Sequence, residues 1–158
     1  MRDFVKFYLF YVVVFFVLFY LPTSSLSVWI NQLQREFTLY LMSFFLESKQ
    51  VDGFDIWINP SYKIVITQAC NGLIPIFLLW ASILAYPSSL KKKAFWMLFG
   101  YVVFTVVNTA RILFVVYATT KGGSEVFHFY HDIVGNTVLM IVGLLLFITY
   151  VKSPKKHS

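Results

Sequence analysis

Apolar residues gather in four long runs, at about 4–21, 71–86, 94–118 and 133–151. A membrane-spanning helix needs roughly 20 apolar residues, with about 17 to 25 usual. Each run is therefore read as one span. The second run is short, so its helix either begins earlier or lies where the bilayer thins. Residues 26–48 differ in pattern. Ser27-Val28-Trp29-Ile30-Asn31-Gln32-Leu33-Gln34-Arg35-Glu36-Phe37 carries a polar residue about once per helical turn, and the apolar stretch 39–46 after it is short. This segment reads as an amphipathic helix on the outer surface or as a re-entrant pair. The alternative, a fifth buried span, inverts every loop that follows. Residues 51–67 change period again. Phe54, Ile56 and Ile58 alternate with Asp55 and Trp57, and Tyr62, Ile64 and Ile66 alternate with Lys63, Val65 and Thr67. With turn signals at Asp52-Gly53 and Asn59-Pro60-Ser61, a period of two predicts a small β-hairpin running into Gln68-Ala69-Cys70-Asn71-Gly72.

Composition agrees with lipid as solvent. The chain of 158 residues is 59% hydrophobic, 20% aromatic and 13% charged, with a mean hydropathy of +0.73. Water-soluble domains carry about 25% charged residues. The net charge of +6 raises nucleic acid as a partner, but the basic residues stand at the ends of apolar runs, which fits anionic head groups and topology instead. There is no Gly-rich phosphate loop, no zinc-type Cys/His spacing and no internal repeat, so neither cofactor nor metal is expected. One cysteine excludes an internal disulfide.

The basic residues also orient the spans. Arg2 and Lys6 precede the first, Lys91, Lys92 and Lys93 separate the second from the third, and Lys152, Lys155 and Lys156 follow the fourth. Placing all three groups in the cytoplasm gives four alternating spans with both termini inside. Glu36, Glu47, Asp52, Asp55, Glu125 and Asp132 then fall outside or at the outer boundary. The first run also admits a cleaved signal peptide, with Ser25-Leu26-Ser27 as a small-x-small site. Its length and aromatic content favour an uncleaved anchor.

This topology brings three reactive side chains to the outer face. Cys70 lies where an extended segment meets a membrane helix. The unsatisfied N–H groups of a helix start favour a thiolate. Those of Asn71 and Gly72 are placed to cradle an oxyanion, and Gly72 would admit a substrate backbone. The commoner fate of a lone cysteine is a small buried apolar side chain. Arg111 lies 17 residues beyond Ala94, roughly 25 Å from the inner edge. A cation there costs at least about 2.5 kcal/mol at the bilayer centre and less toward the interface, so it calls for a partner. Asn108, three residues earlier, shares its helix face. Arg111 reads as a clamp for a carbonyl, carboxylate or oxyanion, or else as a snorkelling side chain or a structural pair with Asp132. His128 and His131 fall on a short outer loop before the last span. Either can act as a general base toward a thiol, and either alone also fits a hydrated interfacial residue. Asp132 is placed to orient an imidazole, and Gly135 shares the helix face of His131. A nucleophile, a base and an oxyanion stabiliser are the minimum for acyl transfer.

Ala69-Cys70-Asn71-Gly72, Asn108-Thr109-Ala110-Arg111-Ile112 and His131-Asp132-Ile133-Val134-Gly135 resemble the three signature blocks of the exosortase/archaeosortase family, over about residues 60–145. The resemblance implies a polytopic membrane protein acting as a cysteine-dependent, transpeptidase-like processing enzyme. It implies substrates that end in a short motif, a transmembrane helix and a basic tail. It also implies an active site of Cys70, Arg111 and His131. Histidine in third place resembles the bacterial exosortases, since arginine can stand there in archaeosortases. Many members are longer, with more spans, and the family's usual aromatic after the last glycine is Asn136 here.

The expectation is thus a single all-α polytopic membrane domain over residues 1–158. It has about four transmembrane helices, an outer amphipathic or re-entrant helix and a small β-hairpin. Its expected function is a membrane-embedded cysteine protease or transpeptidase cleaving C-terminal sorting signals of exported proteins. The catalytic residues would be Cys70, Arg111 and His131, supported by Asn108, Asn71, Gly72, His128 and Asp132. The expected location is the bacterial cytoplasmic membrane with the site facing outside. The expected partners are a membrane-tethered protein substrate and lipid, without nucleic acid. The alternative is a non-catalytic assembly or transport subunit of an envelope pathway.

Overall fold

A computed structural model describes residues 2–22, 24–47, 49–123, 127 and 129–153. His128 of the candidate site, and Glu125, Lys155 and Lys156 of the charge pattern, lie outside the described residues. Helix α1 (Arg2–Phe15) continues as a π-helical turn, Phe16–Tyr20. Helix α2 (Ser25–Met42) follows, begun by Ser24, whose hydroxyl accepts from the Ser27 amide at 3.1 Å as N-cap serines do. Strands β1 (Val51–Asp52), β2 (Asp55–Asn59) and β3 (Tyr62–Val65) come next. A 3-10 turn (Gln68–Cys70) leads into α3 (Leu73–Ala85). Pro75 sits in the first turn of α3, where its missing N–H is harmless. Helix α4 (Leu90–Gly122) is capped by Ser89, which accepts from the Lys92 amide at 3.4 Å. A π-helix (Phe129–Gly135) runs directly into α5 (Asn136–Lys152).

Among the described residues, three helical stretches are long and apolar enough to cross a membrane: Asp3–Tyr20, Leu90–Gly122 and Phe129–Lys152. Helix α3 is apolar but has 13 residues, about 20 Å of helix, which bears out the shortness of the second run. Helix α4, with 33 residues, extends about 50 Å. That is longer than the roughly 30 Å hydrocarbon core, a mismatch that tilting or projection from the apolar layer accommodates.

The packing forms two layers. In one, α3 lies against α1, α4 and α5, around Phe15, Phe77, Phe104, Leu139 and Tyr150. The Phe15 and Phe77 rings stack with centroids 5.5 Å apart. In the other, Leu39 and Met42 of α2, Ile56, Ile64 and Ile66 of the sheet, and Ile112, Val115 and Val116 of α4 enclose Cys70. The alternation read from sequence explains the sheet. Ile56 pairs with Ile64 on the buried face, while Lys63 bonds Asp55 on the other. The expected hairpin gains a third strand: Val51 and Asp52 pair antiparallel with Ile56 and Asp55 across the Asp52-Gly53 turn.

Helix α2 presents its polar residues inward. Ser27, Asn31, Gln34 and Thr38 are buried, whereas Leu26, Trp29, Leu33, Phe37 and Tyr40 are exposed. The spacing i, i+4, i+7, i+11 places the four polar residues on one helical face. The inward amides are satisfied: Asn31 Nδ2 donates to the Phe19 and Ser27 carbonyls, each at 2.9 Å. Gln32 donates to Glu36 on the exposed side at 2.9 Å. An apolar outer face with a polar exposed edge is the pattern of a helix at a lipid boundary.

Because Ile56 is fully buried beside Cys70, Ile56→Ala is expected to destabilise the outer layer by roughly 2–4 kcal/mol. Thermal unfolding in detergent micelles should show the loss, and Cys70 should alkylate faster. An unchanged melting profile with unchanged labelling would contradict this packing.

Candidate active site

Strand β3 hands the chain to the 3-10 turn, whose last residue is Cys70. The Cys70 amide donates to the Thr67 carbonyl at 3.0 Å, and the Thr67 hydroxyl lies 3.5 Å from Sγ. Gly72 then takes φ 79°, a left-handed conformation that glycine adopts without strain. This turns the chain into α3, and Asn71 Oδ1 accepts from the Leu73 amide at 3.0 Å. One expectation is corrected here: the Asn71 amide donates to the Gln68 carbonyl at 3.4 Å, so it faces back into the turn and not toward an oxyanion. Helix α3 begins at Leu73, close to the expected start at about residue 71. A Cβ at Gly72 would meet the Asn108 side chain at 3.1 Å, so the glycine lets Asn108 pack against the turn.

His131 approaches from the far end of the chain. Its Nε2 lies 3.1 Å from Cys70 Sγ, and its Nδ1 lies 2.7 Å from Asp132 Oδ1. A carboxylate on Nδ1 holds the proton there and turns Nε2 to the sulfur. The Phe127 ring stacks on the imidazole, with centroids 5.0 Å apart and planes 12° apart. His131 was expected on a loop. It lies instead within a π-helix, Phe129–Gly135, continuous with α5. The wider π turn lets adjacent residues converge on one site, and such turns are frequent at functional sites.

Arg111 sits behind this pair and is 7% exposed. Nη1 donates to Asn108 Oδ1 at 3.1 Å, while Nη2 donates to the His131 carbonyl at 3.0 Å and to Asn136 Oδ1 at 3.2 Å. Asn108 Nδ2 in turn donates to the Cys70 carbonyl at 2.9 Å. The snorkelling alternative is corrected by this burial: the guanidinium binds protein acceptors, not the head-group region. Gly135 is required by close approach, since a Cβ there would collide with Arg111 Nε and meet its Cδ at 2.9 Å.

The structure thus brings Cys70, Arg111, His131, Asn108 and Asp132 together. Three further participants are not among the residues singled out as site residues from sequence. Thr67 touches the sulfur. Asn136 completes the arginine's acceptors. Gln34 donates through Nε2 to the Asn71 carbonyl at 3.3 Å and accepts from the Tyr101 hydroxyl at 2.9 Å. The polar spacing in α2 groups Gln34 with Ser27 and Asn31, but no local pattern says which way that face turns or what it meets. No group of three or more His, Cys, Asp or Glu residues suited to a metal occurs among the described residues.

Burial raises the Cys70 pKa, but hydrogen bonds from His131 and Thr67, with the charge of His131, outweigh it and leave the thiol below its ordinary value. A buried thiol held within hydrogen-bond reach of an oriented imidazole is an activated nucleophile in geometry.

Fold and site together define a mostly α-helical integral membrane protein carrying a cysteine–histidine pair. The model of the transmembrane exosortase family, of the EpsH type, matches residues 2–148, and this chain belongs to that family. It is 28% identical over 153 residues to the probable archaeosortase E of Methanocaldococcus jannaschii, across 97% of this chain and 79% of that protein. No solved structure matches.

The lowered thiol pKa has a kinetic signature. The rate of Cys70 alkylation by iodoacetamide in micelles should rise with pH around a midpoint below that of an ordinary thiol. In His131→Ala the histidine's lowering interactions vanish while burial and the Thr67 contacts stay, so the midpoint should move up and the rate at neutral pH should fall. Identical profiles for the two proteins would refute the pairing.

Proposed function

We propose that this chain is a membrane-embedded sorting peptidase or transpeptidase that cleaves a C-terminal signal from proteins anchored in the same membrane. The observation that carries the reading is the Cys70–His131–Asp132 line, at 3.1 Å and 2.7 Å. It joins side chains 61 residues apart in sequence. Family membership supports the class of enzyme.

In the reaction, His131 Nε2 takes the thiol proton, and Cys70 Sγ bonds to the carbonyl carbon of the scissile peptide. The tetrahedral intermediate collapses as the C–N bond breaks, and imidazolium gives its proton to the leaving amine. A thioester to Cys70 remains. Water or an amine at the outer surface attacks it, loses a proton to His131 and releases the thiol. Asp132 keeps the imidazole in its productive tautomer and steadies the cation. Arg111 fixes the imidazole through the His131 backbone and, with Asn108, the Cys70 backbone. Its positive charge, which interacts with that of Cys70, favours the developing oxyanion. The basic clusters support a cytoplasmic-membrane location with both termini inside and the active site outside.

Co-expression with a tailed membrane substrate tests this. Cys70→Ala and His131→Ala, present in the membrane at normal levels, should leave the tail uncut, with the histidine effect on the order of 10²-fold or more. Arg111→Ala should impair cutting while the protein persists. A Cys70→Ala protein that still processes would sink the enzyme reading and favour a binding subunit.

A further inference from the structure

A cavity of about 470 Å³ lies under α2, between it and α1, α3 and α4. Its volume falls in the roughly 300–1,000 Å³ range of ligand pockets. Phe77 and Trp80 form part of its wall, and Leu33 and Phe37, which are 43% and 40% exposed, stand at its mouth. No charged residue lines it. One end is polar: Gln34 and Tyr101, bonded to each other at 2.9 Å. That end adjoins the catalytic turn. Gln34 also donates to the Asn71 carbonyl, one residue beyond Cys70, and Leu73, three residues beyond it, lines the cavity itself. Three residues span at most about 10 Å.

We propose that this cavity receives the first apolar side chains of the substrate's membrane segment, of aromatic or branched aliphatic type. The proposal rests on the sorting-peptidase reading and deepens it. A substrate anchored in the same bilayer must bring its peptide bond to Cys70 while its anchor stays in lipid. The cavity meets both demands: exposed Leu33 and Phe37 of α2 line it, and Gln34 in its wall is hydrogen-bonded to the turn that bears Cys70. An extended peptide covers about 3.3 Å per residue, so the side chains entering the cavity begin about three residues from the cut. The absence of charge in the lining excludes the basic tail. The Gln34–Tyr101 pair offers a hydrogen-bonding partner to a substrate backbone that has not yet become helical.

The test places a photo-crosslinking benzoylphenylalanine at position 33 or 37, or at the exposed apolar comparators Val106 and Leu145, in Cys70→Ala protein co-expressed with a tailed membrane substrate. Adducts with the substrate's membrane segment from 33 and 37, and none from 106 and 145, are expected. Adducts with lipid alone, with a second copy of this chain, or equally from all four positions would overturn the assignment. In parallel, Leu33→Trp in otherwise unaltered protein should lower processing about tenfold at limiting substrate with Cys70 alkylation unchanged. Processing that depends on Cys70 yet ignores Leu33→Trp and yields no adduct at 33 or 37 would remove the cavity assignment and leave the enzyme reading standing. Processing independent of Cys70 would remove both.

Discussion

The buried guanidinium of Arg111 ties together the parts of this protein that matter for chemistry. A buried cation beside Ile112 and Val115 is costly unless its donors find acceptors. The two terminal nitrogens find them in Asn108 on its own helix, the carbonyl of His131 and Asn136 at the start of α5. Asn108 passes the constraint on by holding the Cys70 carbonyl. One side chain thereby sets the relative position of the turn that bears the thiol and the π-helix that bears the imidazole. Gly135 and Gly72 belong to the same constraint, the first yielding space to Arg111 and the second to Asn108. A larger side chain at either place would push the two halves of the site apart.

Around this centre lies a second set of polar contacts with a different task. Asn71 caps α3, its Nδ2 donates to Asn31 Oδ1 at 3.0 Å, and its carbonyl accepts from Gln34. Gln68 donates to the Tyr20 carbonyl at the end of α1. The turn that bears Cys70 is therefore held from the π-helical turn after α1 and from α2 on one side and from α4 on the other. Buried amides of this kind are costly when half satisfied and rigidifying when fully bonded. That suits a turn that must keep a sulfur 3.1 Å from a ring nitrogen with lipid close by.

Much of this was legible in the chain itself. The apolar runs are local signals, because burial of about twenty successive residues in lipid needs no knowledge of neighbours. The period of two in residues 54–66 is equally local and foretold the sheet's buried face. Cys70, Arg111 and His131 stood out because their chemistry is at odds with their apolar surroundings, and Asn108 followed from helical spacing. Ser27, Asn31 and Gln34 were visible as polar positions recurring about once per turn, though not which way they would face.

What the tertiary structure alone decided concerns which faces meet. Asp132 reaches Nδ1 because residues 129–135 wind as a π-helix, and no local rule distinguishes that turn from a loop or an α-turn. Asn136 becomes an acceptor only because α5 starts beside Arg111. Gly72 serves Asn108, and Asn71 serves α3, because α4 packs across the catalytic turn. Hydropathy, period and residue type are properties of neighbours in sequence, and so the amino-acid order determined the spans, the strands and the reactive side chains. The distances between those side chains arise from helices packed against one another, with partners 20 to 61 residues apart, and only the folded arrangement sets them.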